Sequence, residues 1–367
     1  MSIIASTHTR EELSYAKITH TLPLVRCFTA ELPVGVPERA ENMETYLVTG
    51  AMGLIGTNLC LDLLQTGHRV LGVDNFACSE RERLEIFHDQ ERFRFIEHDV
   101  TRPLELTDGI DGIYHLACPA RHPLHKVIDD PLYVMQVNAL GIIHIAELAR
   151  RHHAKLVYTS TAEIYGIPDV IPTPETYWGN TNPVGERSSY DESKRFSDAY
   201  CVALREKHGV DAKIVRVFNA YGPYMDDRDG RVIPAFILQA LRGDPLTVYG
   251  DGSQTRSFCF VEDTVRALVS VMGTDRGFSG PVNAGNPEEV TIRELAGMIL
   301  RLTGSDSTID SSRRIPIDDP PRRVPDITAI RTALGWAPRV HLEEGLARTI
   351  EYYRTAYGLR RSAVGEA

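Results

Sequence analysis

Cysteine is scarce in this chain. Six of 367 residues, Cys27, Cys60, Cys78, Cys118, Cys201 and Cys259, are scattered with no CxxC spacing. That pattern fits reduced thiols and excludes a disulfide framework or a cysteine-held zinc as the organising device. The 13 histidines include the pair His152 and His153 but no HExxH or comparable ligand cluster, so no metal is expected. No uninterrupted apolar run approaches the roughly 18 to 20 residues that span a bilayer, and the N-terminus lacks a basic-then-apolar leader pattern. The expectation is a cytoplasmic protein with no membrane partner. Positive charge is in deficit, 40 Lys and Arg against 50 Asp and Glu for a formal net charge of -10, which argues against nucleic acid as a partner.

What is present begins at Thr49 to Gly56, TGAMGLIG. The apolar run Tyr46, Leu47, Val48 precedes it, and a helical pattern through Leu59, Leu63 and Leu64 follows. Gly50, Gly53 and Gly56 let the chain turn tightly, bring backbone close to a pyrophosphate and pack a helix on a strand, with the diphosphate on the helix N-terminus. The next strand, Arg69 to Asp74, ends in the acid that NAD-binding folds place on the ribose hydroxyls. Asp74 has no basic neighbour, which favours NAD over NADP as the cofactor. Strand patterns recur near Phe95, Ile113, Val157 and Ile214 with helical patterns between them, the long ones being Pro131 to His153 and Ser189 to Lys207. Such alternation predicts an α/β fold, a Rossmann-like doubly wound parallel sheet.

Beyond about Tyr221 the spacing turns irregular, then yields short helices near Val232, Asp263, Ile292 and Glu343, which predicts a smaller C-terminal substrate-binding lobe. The expected division is an arm over 1–42, containing Pro23, Pro33 and Pro37; a mainly NAD-binding domain over 43–220; an interleaved substrate lobe over 221–358; and a tail over 359–367.

Chemistry concentrates in Tyr158 to Gly166, YTSTAEIYG, and in SYDESK, which carries Tyr190 and Lys194. Four residues apart on a helix, Tyr190 and Lys194 share a face, and an ammonium near the phenol would lower its pKa from about 10 towards working pH. A hydroxyl, a carboxylate and a Tyr/Lys pair are the parts needed to oxidise a sugar carbon and act on its neighbour, which points to an enzyme of nucleotide sugars.

From about Met43 onward, over nearly nine tenths of its length, the chain resembles the extended short-chain dehydrogenase/reductase family, and within it the branch that decarboxylates UDP-glucuronate. The matching segments are VDNF, HDVTRPL, YHLACPA, PETYWGN with NPVGERSSYDESKR, RVFNAYGP, DGRVIPAFILQALRGDPLTVYGDGSQTRSF, NAGNPEE, and DDPPRRVPDI with LGWAP. The resemblance implies NAD contacts at Gly50, Gly53, Leu54, Ile55, Gly56, Asp74, Asn75, Asp99, Val100, Leu116, Cys118, Tyr190 and Lys194. It implies UDP-sugar contacts at Glu163, Arg187, Asn219, Arg231, Tyr249, Arg256 and Arg323, with Arg322 the adjacent alternative. Arg256 and Arg323 would hold diphosphate or sugar carboxylate, Asn219 would cap the pyrophosphate and Tyr249 would stack on uracil. Asn138 matches a family asparagine near the lysine, and Ser193 replaces the commoner Gly. A homodimer through the two long helices is implied, with Ile142, Ile145 and Leu148 as outward positions that also suit packing on the sheet.

The implied catalytic set is Thr161, Glu163, Tyr190, Lys194 and Arg256. Tyr190 takes the sugar 4-hydroxyl proton while hydride passes from C4 to NAD, and Thr161 holds the same oxygen. The carboxylate on C5 is then β to a ketone, carbon dioxide leaves without a metal, and reprotonation with hydride return gives UDP-xylose. Sugar dehydratases of the family carry Asp-Glu at positions 162 and 163, and decarboxylases usually carry Ser at 162; Ala162 departs from both and leaves escape of the 4-keto pentose open. A 4-epimerase would lack the carboxylate of Glu163, a 4,6-dehydratase would need an acid at 162, and a non-catalytic NAD-sensing regulator would have lost the Tyr/Lys pair.

Overall fold

The computed structural model describes residues 43–119, 130–314 and 320–359; the expected arm over 1–42 and the tail beyond Leu359 lie outside the described residues. Strand β1, Thr45–Thr49, is buried from Tyr46 on and leads through the left-handed Gly50 into helix α1, Leu54–Gln65. Strands β2 (Arg69–Asp74), β3 (Phe93–Glu97) and β4 (Gly112–His115) follow, then helix α2, Pro131–His152. Its start is set by Asp130, whose carboxylate accepts from the amides of Leu132 and Tyr133, and by Pro131 in the first turn; it stops where His153 turns left-handed. After β5 (Lys155–Thr161) and a 3-10 turn at Ala162–Tyr165 comes helix α3, Ser188–His208, closed by the left-handed Gly209, and then β6, Ala212–Val217.

These six strands and a seventh, Val282–Ala284, form one sheet in the order seventh strand, β6, β5, β4, β1, β2, β3, every pair parallel. The order reverses between β1 and β4, the switch point at which such sheets bind ligands beyond their strand ends. Residues of β1, β4 and β5 are buried on both faces, as covering helices require.

α2 and α3 cover one face, and here one expectation is corrected: Ile142, Ile145 and Leu148 are not outward but wholly buried, packed with Leu47, Ile113 and Leu156. α2 is long and apolar enough by composition to cross a membrane, yet these side chains lie on the sheet. Truncating one of them to Ala would cost about 2–5 kcal/mol. The large apolar residues it leaves exposed are Leu132, Met135 and Leu140, with Phe196 on α3.

The other face is covered by α1, by α5 (Val261–Met272) and by α7 (Thr328–Leu334), so the chain returns to the first core after residue 221. A separate core, including Phe236, Leu246, Leu295, Ile299, Leu346 and Tyr353, is built by α4 (Val232–Arg242), α6 (Ile292–Thr303) and α8 (Leu342–Ala356). α6 starts with a capping box, Thr291 with Glu294.

Candidate active site

Beyond the ends of β1, β2 and β4 lies a cleft lined by eight of the expected cofactor residues: Gly50, Gly53, Asp74, Asn75, Asp99, Val100, Leu116 and Cys118. A Cβ on Gly50 would stand 2.9 Å from the Ala117 amide nitrogen, and one on Gly56 would stand 2.0 Å from the Gly50 carbonyl oxygen, so neither position admits a side chain. No side chain caps α1, leaving its first amides for an anion. Asp74 accepts from the Met52 amide at 2.9 Å, the Phe76 amide at 2.8 Å and Ser79 Oγ at 3.0 Å, which leaves about one of its roughly four acceptor directions for a ribose hydroxyl.

Asn75 Nδ2 donates to Asp99 Oδ2 at 3.1 Å and to the Tyr133 hydroxyl at 2.8 Å, and Tyr133 donates to the same Asp99 oxygen at 3.0 Å. Burial pushes the Asp99 carboxyl up, but bonds from Thr101, Tyr133 and Asn75 outweigh it and hold it below the usual range. Anion-ready helix end, close-approach glycines and strand-end carboxylate together fit NAD. Leu54 and Ile55 contribute backbone at that helix end, while their side chains pack into the core.

The reacting groups gather where β5 ends. Thr161 Oγ1 accepts from the Glu163 amide at 3.2 Å, and the Thr161 hydroxyl neighbours the phenol of Tyr190 in the first turn of α3. The expected lowering of the Tyr190 pKa is not found. Burial first, then the neighbouring Cys118, raise it well above the ordinary phenol value; the Thr161 hydroxyl and the charge of Arg231 act the other way, and Glu163 adds to the rise. Lys194 is not among these leading influences, because its Nζ donates to the Thr159 carbonyl at 2.9 Å and lies 4.9 Å from the centre of the Tyr158 ring. Ser193 Oγ accepts from Asn138 Nδ2 at 2.9 Å and donates to the carbonyls of Ser189 and Tyr190, tying α2 to the turn that carries the phenol.

Glu163 is gripped by two arginines. Arg323 makes two bonds, one of them Nη2 to Oε2 at 2.8 Å, and Arg187 bonds Oε2 as well. Burial pushes the Glu163 carboxyl up, but Arg323, Arg187 and Arg256, in that order, outweigh it and hold the group below the usual carboxylate range. Arg187 and Arg323, expected on substrate, are therefore also the partners of Glu163. Arg256 donates to the Thr255 carbonyl at 2.8 Å and is almost wholly buried. Arg322 is not part of the cluster; it pairs with Glu289 on the surface.

Three expected contacts stand apart. Asn219 Nδ2 donates to the Ser257 carbonyl at 2.9 Å, tying the loop after β6 to a short strand, Thr255–Ser257. Tyr249 lines neither cleft; its ring lies 6.0 Å from the Arg313 guanidinium. Arg231 begins α4 and reaches the site through its charge on Tyr190. Ala162 is buried with Ile164, Tyr165 and Phe218, an apolar packing role. Two site residues were not singled out from sequence. Tyr133 gave no signal beyond its place at the start of a helix, whereas Asp191 stood beside Tyr190 as an acid in SYDESK and now lines the cavity that holds Glu163, Arg187 and Arg323.

Residues 46–285 match the NAD dependent epimerase/dehydratase family. The chain is 42% identical over 331 residues to UDP-glucuronic acid decarboxylase 1 of Xenopus tropicalis, covering 90% of this chain and 77% of that protein. It is 43% identical over 338 residues to UDP-glucuronic acid decarboxylase 6 of Arabidopsis thaliana, covering 90% of this chain and 96% of that one. Among solved structures, UDP-glucuronic acid 4-epimerase from Bacillus cereus, in complex with UDP-glucuronic acid and NAD, superposes with a TM-score of 0.71 at 27% identity, covering 85% of this chain and all of that one.

Proposed function

The chain belongs to the NAD dependent epimerase/dehydratase family, and from that membership we propose that it is an NAD-dependent decarboxylase that converts UDP-glucuronate to UDP-xylose. The observation that carries the reading is the neighbouring hydroxyls of Tyr190 and Thr161 beside a carboxylate, Glu163, that Arg323 and Arg187 bond and hold ionised.

Bound NAD supplies a hydride acceptor that makes C4 of the sugar a ketone and later returns the hydride. Tyr190 Oη receives the proton of the 4-hydroxyl and holds it, and the Thr161 hydroxyl orients the same oxygen. Burial favours the protonated phenol, so Tyr190 must first lose its own proton to solvent before it can take that of the 4-hydroxyl; the charge of Arg231 favours that loss, and a positive nicotinamide ring beside it would add to it. With a carbonyl at C4, the C5 carboxylate leaves as carbon dioxide and charge gathers on O4, where the two hydroxyls donate. Glu163 stays ionised throughout and fixes Arg187 and Arg323, while Arg256 presents the third positive group beside it. The buried, apolar setting of Ala162 provides no acid to expel a C6 hydroxyl, which disfavours dehydration, and Glu163 disfavours simple epimerisation.

A homodimer through α2 and α3 is part of the proposal, supported by their exposed Leu132, Met135, Leu140 and Phe196. The test is incubation of purified protein with UDP-glucuronate and NAD. Carbon dioxide and UDP-xylose are expected; epimerised UDP-sugar acid with no gas would refute the reading. Accumulation of UDP-4-keto-pentose would instead assign the escape route to Ala162.

A further inference from the structure

We propose that Asp191 is the acid that delivers a proton to C5 of the sugar once carbon dioxide has left, an assignment that rests on the decarboxylase reading. The reaction replaces a C5–carboxylate bond by a C5–H bond. When the carbon–carbon bond breaks, its electron pair becomes the enolate spanning C5, C4 and O4, and a proton must then arrive at C5.

Tyr190 carries the proton taken from O4 and needs it again when the 4-hydroxyl is rebuilt. Glu163 has no proton to give, because the arginines around it keep it ionised. Arg187 and Arg323 do not release theirs. Among the described residues lining the cavity of Glu163, the remaining acid is Asp191.

Its placement suits the task. It follows Tyr190 in the first turn of α3, is 6% exposed, has one carboxyl oxygen, Oδ1, buried without a hydrogen-bond partner, and has the other 4.0 Å from Arg187 Nε. A buried carboxyl oxygen without a partner is costly when charged, so this group is built to be neutral at rest. The charged groups that face it act in both directions, with the rise prevailing. Burial first, then Glu163 across the cavity, raise its pKa to about 7 against Arg187 and Arg323, and Glu192 on its own helix adds to the rise. Two carboxyls in one cavity, one pushed down and one pushed up, divide base and acid roles between them.

In the step, the O–H bond of Asp191 breaks and leaves its electron pair on the carboxylate. The proton, passed directly or across one water, forms the C5–H bond with the enolate pair, and the C4 carbonyl is restored. The new carboxylate is steadied by the Arg187 guanidinium and regains a proton from solvent, so one solvent proton is consumed per carbon dioxide released.

The substitution Asp191→Asn keeps the shape and removes the proton. With UDP-glucuronate and NAD, the variant should release carbon dioxide in its first turnover but form UDP-xylose about 100-fold more slowly, with NADH absorbance persisting. Wild-type kcat should fall as pH rises through about 7, and Asp191→Glu should recover part of the rate with a shifted limb. UDP-xylose formed at the wild-type rate by Asp191→Asn would overturn the assignment and leave water as the donor. Should that variant not fold, the wild-type profile decides: a kcat unchanged through pH 7 overturns it. If the wild type releases no carbon dioxide from UDP-glucuronate, the decarboxylase reading itself falls, a result distinct from either of these.

Discussion

Replacing Arg323 by Met tests the electrostatic frame of the site without recourse to activity. Arg323 is 6% exposed and the Glu163 side chain 17%, so the bidentate pair is largely shielded from water. Removing one partner of such a pair typically costs 3–5 kcal/mol, because the other charge stays buried and uncompensated. Here Arg187 remains on Oε2 and Arg256 remains nearby, which places the expected loss at the lower end, about 3 kcal/mol.

The pH dependence has a definite sign. The folded carboxyl of Glu163 lies below its ordinary value of 4.5, so its stabilisation is present above that value and is lost as pH falls through the folded one. Arg323→Met raises the folded value, and its deficit against wild type should therefore shrink as pH drops from neutral through 4.5. Urea unfolding of the wild type, Arg323→Met, Glu163→Gln and the double variant, at neutral and acid pH, forms a double-mutant cycle. A coupling of about 2 kcal/mol at neutral pH is expected, and single-variant losses that add to within about 0.5 kcal/mol would refute the reasoning.

Tyr190→Phe removes the phenolic oxygen that takes the 4-hydroxyl proton; carbon dioxide release should fall by at least about 100-fold while NAD titration still saturates, and retained activity would remove Tyr190 from that role. Gly56→Ala puts a methyl group 2.0 Å from the Gly50 carbonyl, so the turn must move; NAD affinity and the unfolding midpoint should both drop, and unchanged binding would show that the glycine turn does not hold the cofactor. The Asp191 carboxyl is raised from 3.8 to about 7, so the stability it contributes is complete below 3.8 and lost as pH rises through about 7. Asp191→Asn should accordingly be less sensitive than wild type to a pH increase across that window in thermal unfolding, and parallel curves would contradict the shift. Charged substitutions at Met135 and Phe196 should halve the mass measured by light scattering, and an unchanged mass would place the interface elsewhere.

The glycine turn between β1 and α1 and the acid closing β2 were legible in the sequence because each is a local event: a change of hydrophobic period, a forced turn, a strand ending in Asp. The ends of α2 and α3 lie within one residue of expectation, α2 for the concrete reason that Asp130 and Pro131 start it. The seventh strand was not legible. Val282–Ala284 is only three residues long, and it is a strand because Val215 and Val217 of β6 offer it a parallel edge. The faces of α2 were equally hidden, since Leu132, Met135 and Leu140 are as apolar as Ile142, Ile145 and Leu148; only the packed sheet distinguishes the two sets. Arg323 could be placed near substrate by its motif, but its grip on Glu163, 160 residues away, is a tertiary fact.

The phenol of Tyr190 shows why local spacing misled on the chemistry itself. A lysine one helical turn away suggests a lowered pKa, yet in a buried site the loss of solvation acts on the phenolate before any neighbour does, and the lysine is drawn off to the Thr159 carbonyl. The site therefore rests with its proton-handling groups neutral and its charge in fixed pairs. Arg187, Arg256 and Arg323 against the single anion Glu163 leave an excess of positive charge beside Tyr190, inside a chain whose formal net charge is -10. An acidic, diphosphate-bearing sugar would be drawn to this local positive charge, and its own charge would complete the set of pairs. Tyr190, once ionised, then takes a proton from, and neutral Asp191 gives one to, a ligand whose negative charge is already compensated, which is the condition under which a buried carbon–carbon bond can release a neutral gas without a metal ion.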